Sequence, residues 1–419
     1  MSQRLQDIKN HIAPDSVSTT QNLKIIKESK NPDDIVIIAA NRSAITKGFK
    51  GGFNDINTDY LLVSFLKEFI EIWPKSLQEN LALVEDITCG NVLNVGAGAT
   101  EHRAAMLAAG FPYQTSFNAI NRQCSSGLTA VNDIANKISS GQIDIGLALG
   151  VESMSKNYKN INPLGSISEE LLNDKNAKKC LIPMGLTNEL IAKNFNINRN
   201  QQDSFASKSN QKAIEAIKQG LFKDEILPLK SPSSGKIIDT DEGPRENVSV
   251  DSLSKLNPAF IKDPKKNGTT TAGNSSQISD GVAGVLLARR SVAESLGLPI
   301  MARYLAFQVI GVPPEIMGVG PAFVIPKLLS KLQLSINDID IFEINEAFAA
   351  QCLYCANILK IDQEKINPRG GAIALGHPLG CTGARQVATI MRELQTGQIG
   401  IVSMCIGTGM GAAAAFLKE

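Results

Sequence analysis

Apolar residues recur along this chain in two alternating rhythms. Ile35-Val-Ile-Ile-Ala-Ala40 is a short continuous apolar run, the pattern of a strand buried on both faces. Residues 57–72 follow with Leu61, Leu62, Phe65, Leu66 and Phe69 on one face of a predicted helix. Residues 85–92 again read as a strand ending in turn residues, and 100–109 as a helix. Asn118-Ala-Ile-Asn-Arg-Gln-Cys124-Ser-Ser-Gly127 then leads into a helical pattern over 128–138, and 141–150 returns to a strand. Such alternation predicts a layered α/β architecture around a largely buried sheet.

The succession recurs near the C-terminus, where residues 377–383 lead into a helix and Gly397-Gln-Ile-Gly-Ile-Val-Ser-Met-Cys405-Ile-Gly407 follows. Gly141 and Gly397 stand 397 − 141 = 256 apart, and Ser126-Gly127 matches Thr382-Gly383 at the same offset. Asp86-Ile87 and Asn91 fall 254 before Asp340-Ile341 and Asn345 (340 − 86, 345 − 91). Nearly constant spacing predicts an internal duplication, two halves sharing one fold. In the second half Cys405 runs almost directly into an apolar strand over 412–417, whereas in the first a long polar segment separates Gly150 from the comparable strand 281–288. The expected division is therefore 1–33 as an irregular terminus, 34–154 with 278–299 as one half, 155–277 as an inserted domain, and 300–419 as the other half. An insertion on a rigid scaffold is a natural carrier of substrate contacts.

Charge narrows the function. With 42 basic and 41 acidic side chains in 419 residues, and no basic cluster beyond Lys262-Asp-Pro-Lys-Lys266, the chain lacks the electrostatic footprint of a nucleic-acid binder. Its apolar runs fall far short of the roughly 20 residues of a membrane span. Seven cysteines, an odd number without a secretory leader, point to a reducing compartment rather than a disulfide framework. Cys352-Leu-Tyr-Cys355 has no second pair and sits in an apolar helical pattern, which disfavours zinc or redox use.

Candidate chemistry gathers on two loops. Residues 367–383, Asn-Pro-Arg-Gly-Gly-Ala-Ile-Ala-Leu-Gly-His-Pro-Leu-Gly-Cys-Thr-Gly, hold five glycines and two prolines, too many for a regular helix or strand. This shaped loop carries His377, one of three histidines. The equivalent loop of the first half carries Cys124 at the start of a helix, whose dipole is expected to lower the thiol's pKa. That dipole, about 1 kcal/mol, shifts a thiol by less than one unit, so a base is needed as well. Around a pseudo-two-fold axis the two helix N-termini converge, and His377 can be that base. His102 reads as an ordinary polar helix residue.

These segments resemble the thiolase family over about residues 34–419. Ile120-Asn-Arg-Gln-Cys124-Ser-Ser-Gly-Leu-Thr-Ala-Val131 resembles its acyl-enzyme motif, and residues 367–383 its Asn-x-x-Gly-Gly, Gly-His-Pro and Ser/Thr-Gly signature. Gly400-Ile-Val-Ser-Met-Cys405-Ile-Gly-Thr-Gly-Met-Gly411 and Asn345-Glu-Ala-Phe348 resemble two further motifs. The resemblance implies a duplicated five-layer αβαβα fold with an inserted loop domain. It also implies thiolytic cleavage of 3-ketoacyl-CoA, the last step of fatty-acid β-oxidation, with coenzyme A as substrate and no other cofactor or metal. By motif, Cys124 is the nucleophile and His377 the base and an oxyanion donor. Cys405 is the acid/base, Asn345 holds an oxyanion water, and Gly407 donates a backbone N–H. Ser276, in Thr271-Ala-Gly-Asn-Ser-Ser276-Gln, and Met184, in Pro183-Met184-Gly185, match segments lining the pantetheine arm. Biosynthetic members often carry histidine where Pro183 stands, so the degradative class is favoured over Claisen condensation. A ketoacyl synthase would need a second catalytic histidine. A non-catalytic acyl-CoA carrier would need neither base nor second thiol. The family generally assembles as dimers or tetramers, and a homodimer is the expectation here. Arg4-Leu5 followed after five residues by His11-Ile12 resembles a type-2 peroxisomal targeting signal, which implies an import receptor and a peroxisomal location.

Overall fold

The computed structural model describes residues 19–161, 167–261 and 267–419. The first half contains β1 (Ile35–Arg42), β2 (Asp86–Gly90), β3 (Ser116–Ile120), β4 (Ile145–Ser153) and β5 (Ser279–Arg289). The second contains β6 (Ala302–Gly311), β7 (Ile341–Ile344), β8 (Ile399–Ile406) and β9 (Met410–Lys418). In the sheet they lie in the order β7-β8-β9-β6-β1-β5-β4-β2-β3, with the short strand Thr46–Lys47 added beside β5. In the first half β1, β5 and β4 pair antiparallel, and β4, β2 and β3 parallel. The second half repeats this: β6, β9 and β8 are antiparallel, and β8 and β7 parallel. The counterpart of β3 shrinks to one parallel bridge between Phe342 and Ile366. The halves join edge to edge where Val36 meets Arg303 and Ile37 meets Ala302.

Helices complete the layers. On the outer face of the first half lie Thr58–Glu71 and Ala99–Ala108, whose Leu61, Phe65, Phe69, Ala105 and Met106 share a core with Ile87, Leu147 and Leu286. On the outer face of the second half, Gly320–Leu332 and Ala349–Leu359 pack against Phe342, Ile401 and Ala415. Between the two halves of the sheet run α-helices Ser126–Ser139, here α1, and Thr382–Glu393, here α2. Their Leu128, Val131, Ile134, Val387 and Ile390 share one cluster with residues of β1, β5, β8 and β9. Five layers, αβαβα, result.

Because α2 is buried along most of its length, its polar side chains seek partners inside. Arg385 donates to Glu343 (2.9 Å), Gln386 to the Glu343 carbonyl (3.0 Å) and Thr389 to Glu225 (2.7 Å). Glu225 also bonds Arg42, which forms a bidentate pair with Asp241 (2.7 and 2.8 Å). Both acids belong to the segment between β4 and β5, which is thereby tied to the sheet and to α2. The N-termini of α1 and α2 meet through glycine. A Cβ on Gly383 would stand 2.2 Å from Leu128 N, and one on Gly127 would stand 2.6 Å from the Gly380 carbonyl.

Two differences from the sequence pattern have simple causes. Residues 367–383 are not wholly irregular, since Ala372–Leu375 form one helical turn. Within the expected irregular terminus, Thr19–Glu28 form a helix. Its Leu23 and Ile26 rest on the second-half core and Asn22 donates to the Leu332 carbonyl (2.6 Å), tertiary partners invisible in a polar local sequence. The candidate targeting residues Arg4 to Ile12 lie outside the described residues.

Candidate active site

The chain leaves β3 at Ile120 and turns sharply before α1. Gln123 takes a left-handed φ of 47°, a conformation unfavourable for a side chain and held here by local bonds. Ser126 Oγ donates to the Gln123 carbonyl (2.6 Å) and accepts from Arg122 N (2.9 Å). The elbow puts Cys124 at the foot of α1, buried among Leu93, Met154 and Leu379. Backbone N–H groups of Gly407 and of Cys124 itself lie near the sulfur and favour its thiolate. Burial outweighs them and pushes the thiol up to about 11. Desolvation outweighs the lowering expected from the helix dipole, and the Cys124 thiol is neutral at rest.

His377 is buried two positions before Leu379. Its ring is fixed from both sides. Thr382 Oγ donates its only proton to the Pro378 carbonyl (3.0 Å), so toward His377 Nδ1, 2.6 Å away, it can only accept. This assigns the proton to Nδ1 and leaves a lone pair on Nε2, where Asn345 Nδ2 donates across 3.2 Å. Burial, with the Arg385 guanidinium adding to it, depresses the imidazole to about 3. His377 is therefore a neutral base at physiological pH, with its lone pair turned toward Asn345. Asn345 Oδ1 is buried without a partner among the described residues, an acceptor open to a bound water or substrate.

Cys405, the penultimate residue of β8, is wholly buried with Met317, Ala347 and Phe348, and its thiol is pushed well above its ordinary range by burial and then by Cys124. Met184 borders both the Cys124 and the Cys405 clusters and lies 3.7 Å from the position of a Cβ on Gly407. Ser276, half-buried, donates its backbone N–H to the Ala347 carbonyl (3.0 Å), and His377 N bonds the carbonyl of the next residue, Gln277 (3.1 Å). All seven residues singled out from the sequence thus fall in one neighbourhood. Its chemical content is a thiol under two N–H donors, a neutral imidazole and a second thiol.

Several supporting residues escaped the sequence reading. Thr382 sets the tautomer. Glu346 accepts from Asn367 Nδ2 (2.8 Å), Ser209 Oγ (2.6 Å) and Ile373 N (3.2 Å), which clamps the start of the His377 loop. Glu152, the penultimate residue of the apolar strand β4, is completely buried as well. His102 is no ordinary polar residue: it is buried, 2.9 Å from Thr58 Oγ1, and depressed to about 4 by burial. In a spectrum of histidine-labelled protein, the His102 and His377 ring resonances are expected to hold their neutral positions from pH 8 down to 5. A midpoint near 6.5 for His377 would show that its burial does not govern its charge.

The family description "Thiolase, N-terminal domain" matches residues 35–291, and "Thiolase, C-terminal domain" residues 298–418. The chain is 67% identical to the peroxisomal 3-ketoacyl-CoA thiolase of Saccharomyces cerevisiae over 423 aligned residues, covering 100% of each. The 1.8 Å crystal structure of the dimeric peroxisomal thiolase of S. cerevisiae superposes with a TM-score of 0.91 at 69% identity, over 94% of this chain and 100% of that one. A second structure, of the peroxisomal 3-ketoacyl-CoA thiolase from the same yeast, is described as five-layered and built from two core domains of identical topology. It matches with a TM-score of 0.81 at 62% identity, over 94% of this chain and 100% of that one.

Proposed function

The chain belongs to the thiolase family, and from that premise we propose how its residues cleave 3-ketoacyl-CoA with coenzyme A to acyl-CoA and acetyl-CoA. One observation carries the reading: the loop of His377, a neutral imidazole whose Nε2 holds a lone pair, packs its Leu379 on Cys124, a thiol with two backbone N–H groups near its sulfur. A thiol near 11 beside an imidazole near 3 does not form a resting ion pair. The proton moves only as bond formation begins.

In the first half-reaction the Cys124 sulfur attacks the 3-keto carbon and gives its proton to His377 Nε2. The backbone N–H groups of Cys124 and Gly407 receive the charge developing on oxygen. Collapse breaks the carbon–carbon bond, and its electron pair becomes the enolate of acetyl-CoA. His377, now carrying Nε2–H, faces the enolate oxygen together with a water held by Asn345, and Cys405 gives its proton to the carbon. A basic enolate carbon can take a proton even from a thiol of high pKa, and acylation of Cys124 removes the neighbouring ionisable thiol whose charge would oppose ionisation of Cys405. As acetyl-CoA leaves, the imidazolium proton restores the Cys405 thiol. Coenzyme A then gives its proton to His377, attacks the acyl carbon and displaces the Cys124 thiolate, which takes the proton back. The balance closes without a metal or redox cofactor, coenzyme A being a substrate.

Ser276 and Met184 supply the pantetheine contacts in this reading, on the segment between β4 and β5 that we take as the inserted domain. The edge strand β3 is open to solvent beside the exposed Tyr113 and Val95, and it is the surface for a second copy in a homodimer like the yeast enzyme's. Relatives named peroxisomal, with Arg4-Leu5 and His11-Ile12 in this chain, support delivery to the peroxisome by a type-2 import receptor. A reporter fused to residues 1–30 should enter peroxisomes and should lose them when Arg4 and His11 are changed; a cytosolic wild-type fusion removes this assignment. For the reaction itself, the purified chain should abolish the ultraviolet enolate absorbance of a 3-ketoacyl-CoA only once coenzyme A is added. A carrier without catalysis leaves that signal intact.

A further inference from the structure

Glu152, the penultimate residue of β4, is completely buried, and the reaction as derived gives it no step. Its carboxylate is nonetheless fully engaged. Oε1 accepts from Asn91 Nδ2 (3.1 Å) and Leu93 N (3.2 Å), and Oε2 from Val92 N (3.0 Å) and Gly380 N (3.0 Å). Three of these donors form the turn after β2, in the first half. The fourth lies three residues beyond His377, in the second half. Each loop also presents a residue to Cys124, since Leu93 from one and Leu379 from the other pack around it. Asn91 is held further by the Val151 carbonyl (2.9 Å), so the turn is registered against β4 itself.

Where these loops meet, the backbones have no room to shift independently. A Cβ on Gly380 would lie 2.7 Å from the Val151 carbonyl and from Asn91 Cα, and one on Gly150 would lie 2.4 Å from the Gly380 carbonyl. Hydrophobic packing alone lets such loops slide, because it has no direction. Four hydrogen bonds to one carboxylate do have direction; burial pushes the Glu152 carboxyl up to about 7 against these donors, and above that pH charge assistance makes the bonds the strong kind.

We propose that Glu152 is a positioning residue for catalysis, fixing the His377 loop of the second half against the Cys124 pocket of the first by bonding both at one carboxylate. The inference rests on the thiolase reading above. It assigns to Glu152 no contact with substrate. The ionisable groups that feel its charge are the thiols of Cys89, Cys124 and Cys381.

Glu152→Gln keeps the size but turns one acceptor oxygen into an NH2 facing two N–H donors. Misplacing a catalytic group by about 1 Å can cost on the order of 100-fold, so kcat for thiolysis should fall by roughly 30-fold or more while KM stays within about threefold. Glu152→Asp retains both oxygens and the charge and should recover part of the loss. Trp73→Phe, in the outer first-half core, serves as a comparably destabilised control whose kcat stays within about twofold of wild type. If Glu152→Gln keeps kcat within about threefold, or if the control loses kcat in step with its Tm, the proposal is overturned. Should Glu152→Gln not fold, Asn91→Ala removes one of the four donors and leaves the acid; it should lose kcat several-fold, and an unchanged kcat overturns the proposal. Failure of the wild-type chain to thiolyse at all would instead remove the functional reading on which this stands.

Discussion

Cys124→Ser is expected to lower kcat for thiolysis by about 1,000-fold or more, to abolish the acyl adduct in the mass spectrum, and to leave substrate affinity within a few-fold of wild type. The reason lies in the proton balance of the pocket. Wild-type Cys124 is already hard to ionise, at about 11, and relies on an imidazole that holds a proton only weakly, at about 3. The mechanism survives because sulfur is strongly nucleophilic and can begin attack before its proton has left. An alcohol is both more basic and less nucleophilic, and the same imidazole gains nothing in strength. The two N–H groups stay where they are, because they belong to the backbone of residue 124 and of Gly407, so binding geometry persists while chemistry stops. Retention of a tenth of the wild-type rate would mean that Cys124 is not the acyl carrier.

How much of this was legible beforehand depended on whether the signal was local. The buried strand at 35–40 and the helix face from Leu61 to Phe69 were visible because burial imposes a periodicity on consecutive residues. The duplication was visible because glycines at equivalent loop positions meet the same constraint twice: Gly127 and Gly383 both stand where a Cβ would strike the backbone of the opposite helix. The identity of the seven site residues came from motif resemblance, and the structure places them in one neighbourhood. The sign of the Cys124 shift was not legible, because the dipole of α1 is a local property whereas desolvation depends on Leu93, Met154 and Leu379 arriving from three other segments. The same holds for Glu152 and Glu346. Each looks like an unremarked acid in sequence, and each acquires its role from donors up to 228 residues away.

The same proton accounting separates His377 from Cys405 in a way that a single steady-state rate does not. Two partial reactions divide the cycle: exchange of labelled coenzyme A into acyl-CoA, which needs only acylation and deacylation of Cys124, and exchange of the acetyl-CoA methyl hydrogens with solvent deuterium, which needs only proton transfer at carbon. In the proposed cycle His377 takes the thiol's proton and afterwards carries the Nε2–H that faces the enolate oxygen. Thr382 keeps Nδ1 protonated throughout, so the one nitrogen alternates between the two duties. His377→Ala should therefore slow both exchanges by about 100-fold or more, the size of a lost general base or of one lost oxyanion donor. The effects of the two duties will not simply multiply, because they fall on one group. Cys405→Ala should stop methyl hydrogen exchange, for which no other group on the acetyl side carries a transferable proton in this scheme. Its coenzyme A exchange should stay within about tenfold of wild type, since that half-reaction moves a proton only among Cys124, His377 and coenzyme A. If Cys405→Ala instead loses both exchanges equally, the second thiol serves acylation as well. If His377→Ala loses only one, the imidazole has a single role, and the division of labour read from its tautomer is wrong.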